Sequence, residues 1–237
     1  MAINAVKINP ELYWKLLNKE FVEISGCKTI YTGIPSPWLN GVMGGTLKDI
    51  NAPLRYFAEK NIPFCWWGTD ATKIPPGLDY FGKSQGMQCS LATLKAPSKS
   101  DLQITCVSDT ETLIEFLEVL MQAYSAPHEI LAPLLKLFLE AGFTHPRLHF
   151  IGKVDGKPVS VCSIYIDNDK VASLFNVGTP EIYRGKGYAS NLVGAALSHV
   201  QQLEVHYAAL TAFPEAINLY TRLGFTQTHS FDIFIKN

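Results

Sequence analysis

The sequence predicts an α/β protein in two parts: a smaller N-terminal α/β domain over residues 1–97 and a larger domain over 103–237, with a linker at 98–102. Three observations support this. The second half alternates strand-like and helix-like runs, as α/β folds do. The stretch KAPSKSDL at 95–102 is rich in Pro, Ser and Lys between apolar segments, which is linker composition. The halves also differ in charge: residues 1–100 hold 11 basic and 7 acidic residues, whereas 101–237 hold 9 and 14. All four tryptophans (Trp14, Trp38, Trp66, Trp67) fall in the first half.

Taken in order, Gln103–Val107 reads as a strand. A helix follows from Asp109, with Glu111 in its first turn and Leu113, Phe116, Leu117 and Leu120 on one face. A second apolar helix runs from about His128 to Ala141 and stops at Gly142. The segment RLHFIGKVDGKPVSVCSIYI then holds two strands around Asp155-Gly156, a strong hairpin signal. A third strand, Lys170–Thr179, follows the polar turn Asp167-Asn168-Asp169. After it come a Gly-rich turn, a helix from about Gly187 to Gln201, a strand at Val205–Ala212, a short helix at Glu215–Leu223 and a last strand at Phe225–Ile235. In the first half, a helix from about Leu47 to Lys60 precedes a strand at Phe64–Gly68.

Composition narrows the function. Of 237 residues 47% are apolar and 17% charged, too apolar a balance for a disordered chain. With 20 Lys+Arg against 21 Asp+Glu the net charge is −1, which argues against nucleic-acid binding, where a basic excess is the rule. No run approaches the roughly 20 apolar residues of a membrane helix. The opening MAINAVKINPELYWK has no apolar core after a basic start and does not read as a signal peptide. A soluble, cytoplasmic protein with no membrane partner is expected. Five scattered cysteines (Cys27, Cys65, Cys89, Cys106, Cys162) show no C-x-x-C pair and read as reduced, mostly buried thiols. All six histidines follow residue 127, and Pro146 keeps His145 and His149 off a common helical face, so no metal site is expected.

The segment FNVGTPEIYRGKGYASNLVGAAL carries the chemistry. A strand runs into Arg184-Gly185-Lys186-Gly187-Tyr188-Ala189, where a helix begins. Glycines let the backbone turn tightly and gather N–H groups at the positive end of the helix dipole, an arrangement that holds phosphates. Arg184 and Lys186 add charge for further phosphate oxygens. It is not a Walker A loop, because no Ser or Thr follows a Gly-Lys pair. A Rossmann reading also fails: Ser190 occupies the third glycine position and the loop does not open a βαβ unit.

Downstream lies PEAINLYTRLGF, a short helix ending at Gly224-Phe225. With V-G-T…Y-R-G-K-G-Y-A at Val177–Ala189 and E-A-x-x-L-Y-x-x-L-G-F at Glu215–Phe225, residues 103–237 resemble the Gcn5-related N-acetyltransferase (GNAT) family. The resemblance implies a mixed, mostly antiparallel sheet flanked by helices, with two central parallel strands splayed apart. It implies acetyl-CoA as co-substrate, its pyrophosphate on backbone N–H groups of Arg184, Gly185, Lys186, Gly187, Tyr188 and Ala189. The pantetheine arm would lie between Asn176–Thr179 and Ala208–Ala212, pairing with the first as an added strand does. Val177, Gly178 and Thr179 would then be cofactor contacts, with amides of Val177 or Gly178 as an oxyanion hole. A glycine inside a strand, here Gly178, marks a bulge or a close approach. Tyr220 aligns with the family tyrosine that protonates the departing thiolate, and a phenol of reference pKa about 10 suits that task. By family analogy Tyr124, Ser125 and His128 contact the acceptor. Two departures stand out: Ile182 replaces the family's usual Gln or Arg, and Pro180 is displaced. The general base stays open among Glu181, His128, Glu129, His229 and a water.

The first hundred residues look like a worn copy of the rest. Pro75–Met87 has the proline-to-glycine spacing of Pro214–Gly224, with Gly82 where Tyr220 would stand, and Met43-Gly44-Gly45-Thr46 precedes a helix. A degenerate GNAT-like half without cofactor and an unrelated α/β cap are both open. Either way the acceptor, a small-molecule or peptide amine, is expected in the groove between the halves, with Trp66 and Trp67 as candidate walls. The expected activity is transfer of acetyl from acetyl-CoA directly to a primary amine. The alternative is a non-catalytic acyl-CoA-binding sensor or interaction module, and a homodimer is left open.

Overall fold

The computed structural model describes residues 11–45, 49–68, 76–95 and 100–237. Its strands are β1 Val22–Ile24, β2 Cys27–Ile30, β3 Gly41–Met43, β4 Phe64–Gly68, β5 Asp79–Ser90, β6 Gln103–Cys106, β7 Arg147–Val154, β8 Lys157–Ile166, β9 Val171–Gly178, β10 Tyr207–Ala212 and β11 Thr226–Lys236. The α-helices are α1 Glu11–Leu16, α2 Asn51–Lys60, α3 Thr110–Ala123, α4 Leu131–Ala141, α5 Tyr188–Gln201 and α6 Pro214–Leu223. Among the described residues no helix is long and apolar enough to cross a membrane.

Among the described residues all eleven strands form one sheet, in the order β1-β2-β3-β4-β11-β5-β10-β9-β8-β7-β6. It is mostly antiparallel and flanked by helices, as expected of the fold class; β3 with β4 and β9 with β10 are the parallel pairs. From residue 103 onward the elements follow the predicted order strand, two helices, three strands, helix, strand, helix, strand.

Local chemistry accounts for the helix ends. Asp109 caps α3: its carboxylate accepts from the Thr112 amide at 2.8 Å, and the Thr112 hydroxyl reaches back to the Asp109 amide. α6 begins at Pro214, where a missing N–H costs no helical bond. It ends at Gly224, whose φ of +101° suits a glycine.

The sheet does not break near residue 100. β5, from the first half, lies between β10 and β11 and pairs antiparallel with both. Reciprocally, β11 from the second half pairs with β4 of the first. Each half thus hands its last strand to the other's parallel pair. The order within the halves also repeats: β1-β2-β3, α2 and β4 run as β7-β8-β9, α5 and β10 do.

Pro75–Met87, aligned above with the short helix α6, is corrected by the structure. Apart from Pro75, which lies outside the described residues, it leads into the twelve-residue strand β5, where a register shift separates Gly82, paired with Ile233, from Tyr80, paired with Phe234. Glycines at 82 and 86 disfavour a helix, and Met87 and Cys89 supply strand-like alternation. Thr46 and the start of the predicted helix at Leu47 also lie outside the described residues, as do 98 and 99 of the linker.

Three apolar clusters fill the two faces. One packs α5 and α6 on β8–β10 through residues such as Leu174, Leu192, Leu197 and Leu210. A second, on the same face, joins Phe57 of α2 to Phe64, Trp66 and Phe234. The third covers the opposite face and crosses the halves, combining Trp14, Leu17 and Met43 with Phe116, Leu117, Phe138 and Val161. All five cysteines are free, four of them buried and Cys106 half-buried.

Candidate active site

β9 and β10 pair in parallel only through Tyr207↔Val171, Ala208↔Ala172 and Ala209↔Ser173. Beyond that point β9 runs on to Gly178 and β10 to Ala212 with no bonds between them, so a slot opens in the sheet. Its cause lies in β9. The register against β8 shifts between Ser163↔Phe175 and Val161↔Gly178, and Asn176 within the shift has φ +53°. Asn is among the few residues that accept this left-handed conformation, and an extra residue bends the strand. The bulge is braced from below. Asn176 Nδ2 donates to Ser163 Oγ at 3.1 Å, and Ser163 Oγ lies 2.7 Å from His149 Nδ1. Burial among Phe116 and Phe138 pushes the His149 imidazole down to about 3, so it is neutral.

Of the two features expected at Gly178, a bulge or a close approach, the bulge falls two residues earlier, at Asn176. Gly178 instead permits a close approach by the end of α3: a Cβ there would stand 2.9 Å from Ala123 Cβ and 3.4 Å from Tyr124 Cε2.

Gly178 O faces β8, where the Ser160 hydroxyl donates to it. Strand alternation therefore turns the carbonyls of Val177 and Thr179 towards the slot. Both are already engaged. Tyr124 Oη donates to Val177 O at 3.1 Å, and Arg184 Nε donates to Thr179 O at 2.9 Å. Arg184 Nη2 also donates to Ala123 O at 3.1 Å. The guanidinium thus fastens α3 to the loop, where a phosphate contact was expected of it.

At the mouth of the slot, Gly185 and Gly187 have φ of +77° and +81°. The Gly187 carbonyl gathers three donors, the Asn191 amide, Ser190 Oγ and Asn191 Nδ2. Among the described residues, the amides of Gly185, Lys186 and Gly187 make no bond to a backbone carbonyl, and those of Tyr188 and Ala189 open a helix, where no intrahelical acceptor exists. Amides left without backbone acceptors beside a helix N-terminus are groups that can receive an anion. Lys186 Nζ lies 5.9 Å from the Tyr183 ring, beside a cavity of about 200 Å³ that Lys157, Asp155 and Tyr188 also line.

Tyr220 is 5% exposed, its ring 5.8 Å from Phe225. Burial and the nearby Tyr124 hold its phenol well above the ordinary range, so it is protonated at neutral pH. Tyr124 is 60% exposed, yet protein crowds it enough that burial pushes its phenol up to about 12. Ser125 and His128 are exposed on the segment after α3, as is Glu129; Glu181 is exposed before the loop, and His229 rests 4.7 Å from Phe231. The structure also brings Tyr13 of α1 near Tyr124, its ring 5.5 Å from Phe175 and its phenol within electrostatic reach of Tyr124. No sequence signal distinguished Tyr13.

Residues 113–225 match the family model described as "Acetyltransferase (GNAT) family", so this part of the chain is a GNAT domain. Solved structures agree at the level of fold. A GCN5-related N-acetyltransferase from Kribbella flavida is similar with a TM-score of 0.70 at 15% identity, over 95% of this chain and 92% of that one. A conserved protein of unknown function from Staphylococcus epidermidis reaches 0.71 at 16% identity, over 97% and 98%. A tandem GNAT protein from the clavulanic acid biosynthesis pathway reaches 0.55 at 13% identity, over 88% and 77%. No curated protein matches the sequence significantly.

Proposed function

We propose that the chain is an acetyl-CoA-dependent N-acetyltransferase that moves the acetyl group directly to a primary amine. The observation that carries this reading is the slot between β9 and β10, with unbonded loop amides at its mouth. Gly185, Lys186, Gly187, Tyr188 and Ala189 would hold the pyrophosphate, and Arg184 would position the loop. Val177, Gly178 and Thr179 would line the pantetheine arm; of the two amides expected to take the oxyanion, that of Val177 is on the slot side, while Gly178 faces β8.

The amine nitrogen attacks the thioester carbon, and the C–N bond forms as the oxyanion develops. The C–S bond then breaks, and Tyr220 gives its proton to the leaving sulfur. The proton shed by the ammonium passes to water, from which the tyrosinate recovers its own. Burial raises the Tyr220 pKa but also that of a thiolate formed beside it, so the transfer stays feasible.

The first ninety-seven residues fit a degenerate GNAT-like repeat that binds no cofactor. What supports this is the repeated strand order together with one difference: among the described residues β3 and β4 stay paired to the end of β3, at Met43↔Trp67. Trp66 Nε1 also ties β4 to Gly44 O at 3.1 Å.

The test is a thermal-shift titration with acetyl-CoA, CoA and NAD, followed by thiol release with an amine panel. A ligand at 100 times its Kd adds about 2.7 kcal/mol of stability. A shift with acetyl-CoA and thiol release with an amine support the enzyme. A shift with no release from any amine would favour a non-catalytic acyl-CoA binder, and no shift with either CoA species would refute both.

A further inference from the structure

Two buried polar residues that stand outside the slot are tied to the residue that opens it. His149 on β7 pairs with Ser163 on β8, and Ser163 with Phe175 on β9, so the three side chains form one row on one face of the sheet. Asn176, within the register shift of β9, reaches into this row. Its Nδ2 donates to Ser163 Oγ at 3.1 Å, and that oxygen lies 2.7 Å from His149 Nδ1. Because Ser163 Oγ accepts from Asn176, its own hydrogen is available to the neutral imidazole.

His149 is a poor filler for the place it holds. It is 1% exposed, with the rings of Phe116 and Phe138 at 5.1 and 5.2 Å. The Gly142 carbonyl lies within electrostatic reach of the ring, but Nε2 is buried with no hydrogen-bond partner among the described residues. A leucine or phenylalanine would fill the same space with no orphaned polar atom. What the imidazole supplies is Nδ1, and Nδ1 serves Asn176 through Ser163. The first half offers a comparison within the chain. There β2 pairs with β3 without a register shift, from Lys28↔Met43 to Ile30↔Gly41, and among the described residues β3 stays paired with β4 to its end. In β9 the shift and the early end of parallel pairing occur together.

We propose that His149 and Ser163 are positioning residues for acetyl-CoA: through Asn176 they hold the bulge of β9, and with it the gap from β10 that admits the pantetheine arm. This rests on the acetyltransferase reading above. An extra strand residue without its tie is free to relax, and β9 then straightens against β10 along the stretch the arm would occupy.

The full-length chain should be titrated with acetyl-CoA and with CoA by calorimetry, as the unaltered protein, as His149→Leu with Ser163→Ala, and as Asn176→Gly. The double variant replaces both buried partners by apolar groups, so its Tm should stay within about 3 °C. Asn176→Gly keeps the left-handed φ and removes only the carboxamide. Each should weaken both ligands about two- to tenfold, the scale of one lost hydrogen bond. The factor should be the same for acetyl-CoA and CoA, which share the arm. All three changes together should weaken binding no more than Asn176→Gly alone, since they cut one chain. Ser163→Ala by itself is a milder cut and gives the same comparison if the double variant does not fold. A lower Tm with affinity intact, or losses that multiply in the combined variant, would overturn the inference and leave the acetyltransferase standing. Failure of the unaltered protein to bind either ligand would overturn both.

Discussion

Tyr124 Oη donates to Val177 O at 3.1 Å, fastening the end of α3 to the edge of β9 where the slot opens. If acetyl-CoA binds as proposed, a pantetheine amide pairing with β9 would need the same acceptor, and the two donors would compete for it.

Tyr124→Phe removes one competitor while keeping the ring. It should lower KM for acetyl-CoA by roughly two- to tenfold, the effect of one hydrogen bond of about 0.5–1.5 kcal/mol. Steady-state kinetics with acetyl-CoA as the varied substrate checks this. A raised KM would show that the phenol assists cofactor binding.

Tyr220→Phe keeps the buried ring and removes the proton. kcat should fall about 10²- to 10⁴-fold while the acetyl-CoA dissociation constant changes less than about twofold. Single-turnover kinetics separates this from a change in product release.

Arg184 holds two backbone carbonyls, Thr179 O and Ala123 O, through different nitrogens of one planar group. Arg184→Lys cannot span both with a single ammonium, so it should behave like Arg184→Gln. Both should lower Tm by about 2–4 °C. A salt-dependent loss of acetyl-CoA affinity with Tm intact would instead mark Arg184 as a phosphate contact.

His149 makes stability depend on pH. Its pKa is depressed to about 3 by burial, with Arg147 adding to the effect, against about 6.5 unfolded. Between those values the unfolded chain binds a proton that the folded chain refuses. Stability is therefore whole above about pH 6.5 and falls with decreasing pH, by up to about 1.4 kcal/mol per unit. Denaturant unfolding at several pH values should show a shallower acid limb for His149→Phe than for the unaltered protein.

Much of the second half is legible because its signals are local. Asp109 caps a helix, Asp155-Gly156 turns a hairpin, Gly187 opens a helix and Gly224 closes one, each within a few residues of its effect. The exchange of β5 and β11 is not, since pairing Gln88 with Thr226 depends on contacts far apart in the chain. Arg184 shows the same limit: its charge is plain in sequence, but its partner Ala123 lies 61 residues away. Asn176 bulges because Ser163 and His149 brace it, and neither lies near it in sequence. Pro75–Met87 misled because proline-to-glycine spacing says nothing about the strands on either side that recruit β5.

If the chain holds one acetyl-CoA site, in the slot of the second half, isothermal titration calorimetry of the whole protein with acetyl-CoA should give one equivalent bound. Binding should be about tenfold or more weaker in Gly187→Ala, where φ of +81° strains any other residue. No binding would contradict the slot, and two equivalents would contradict the closed pairing of β3 with β4.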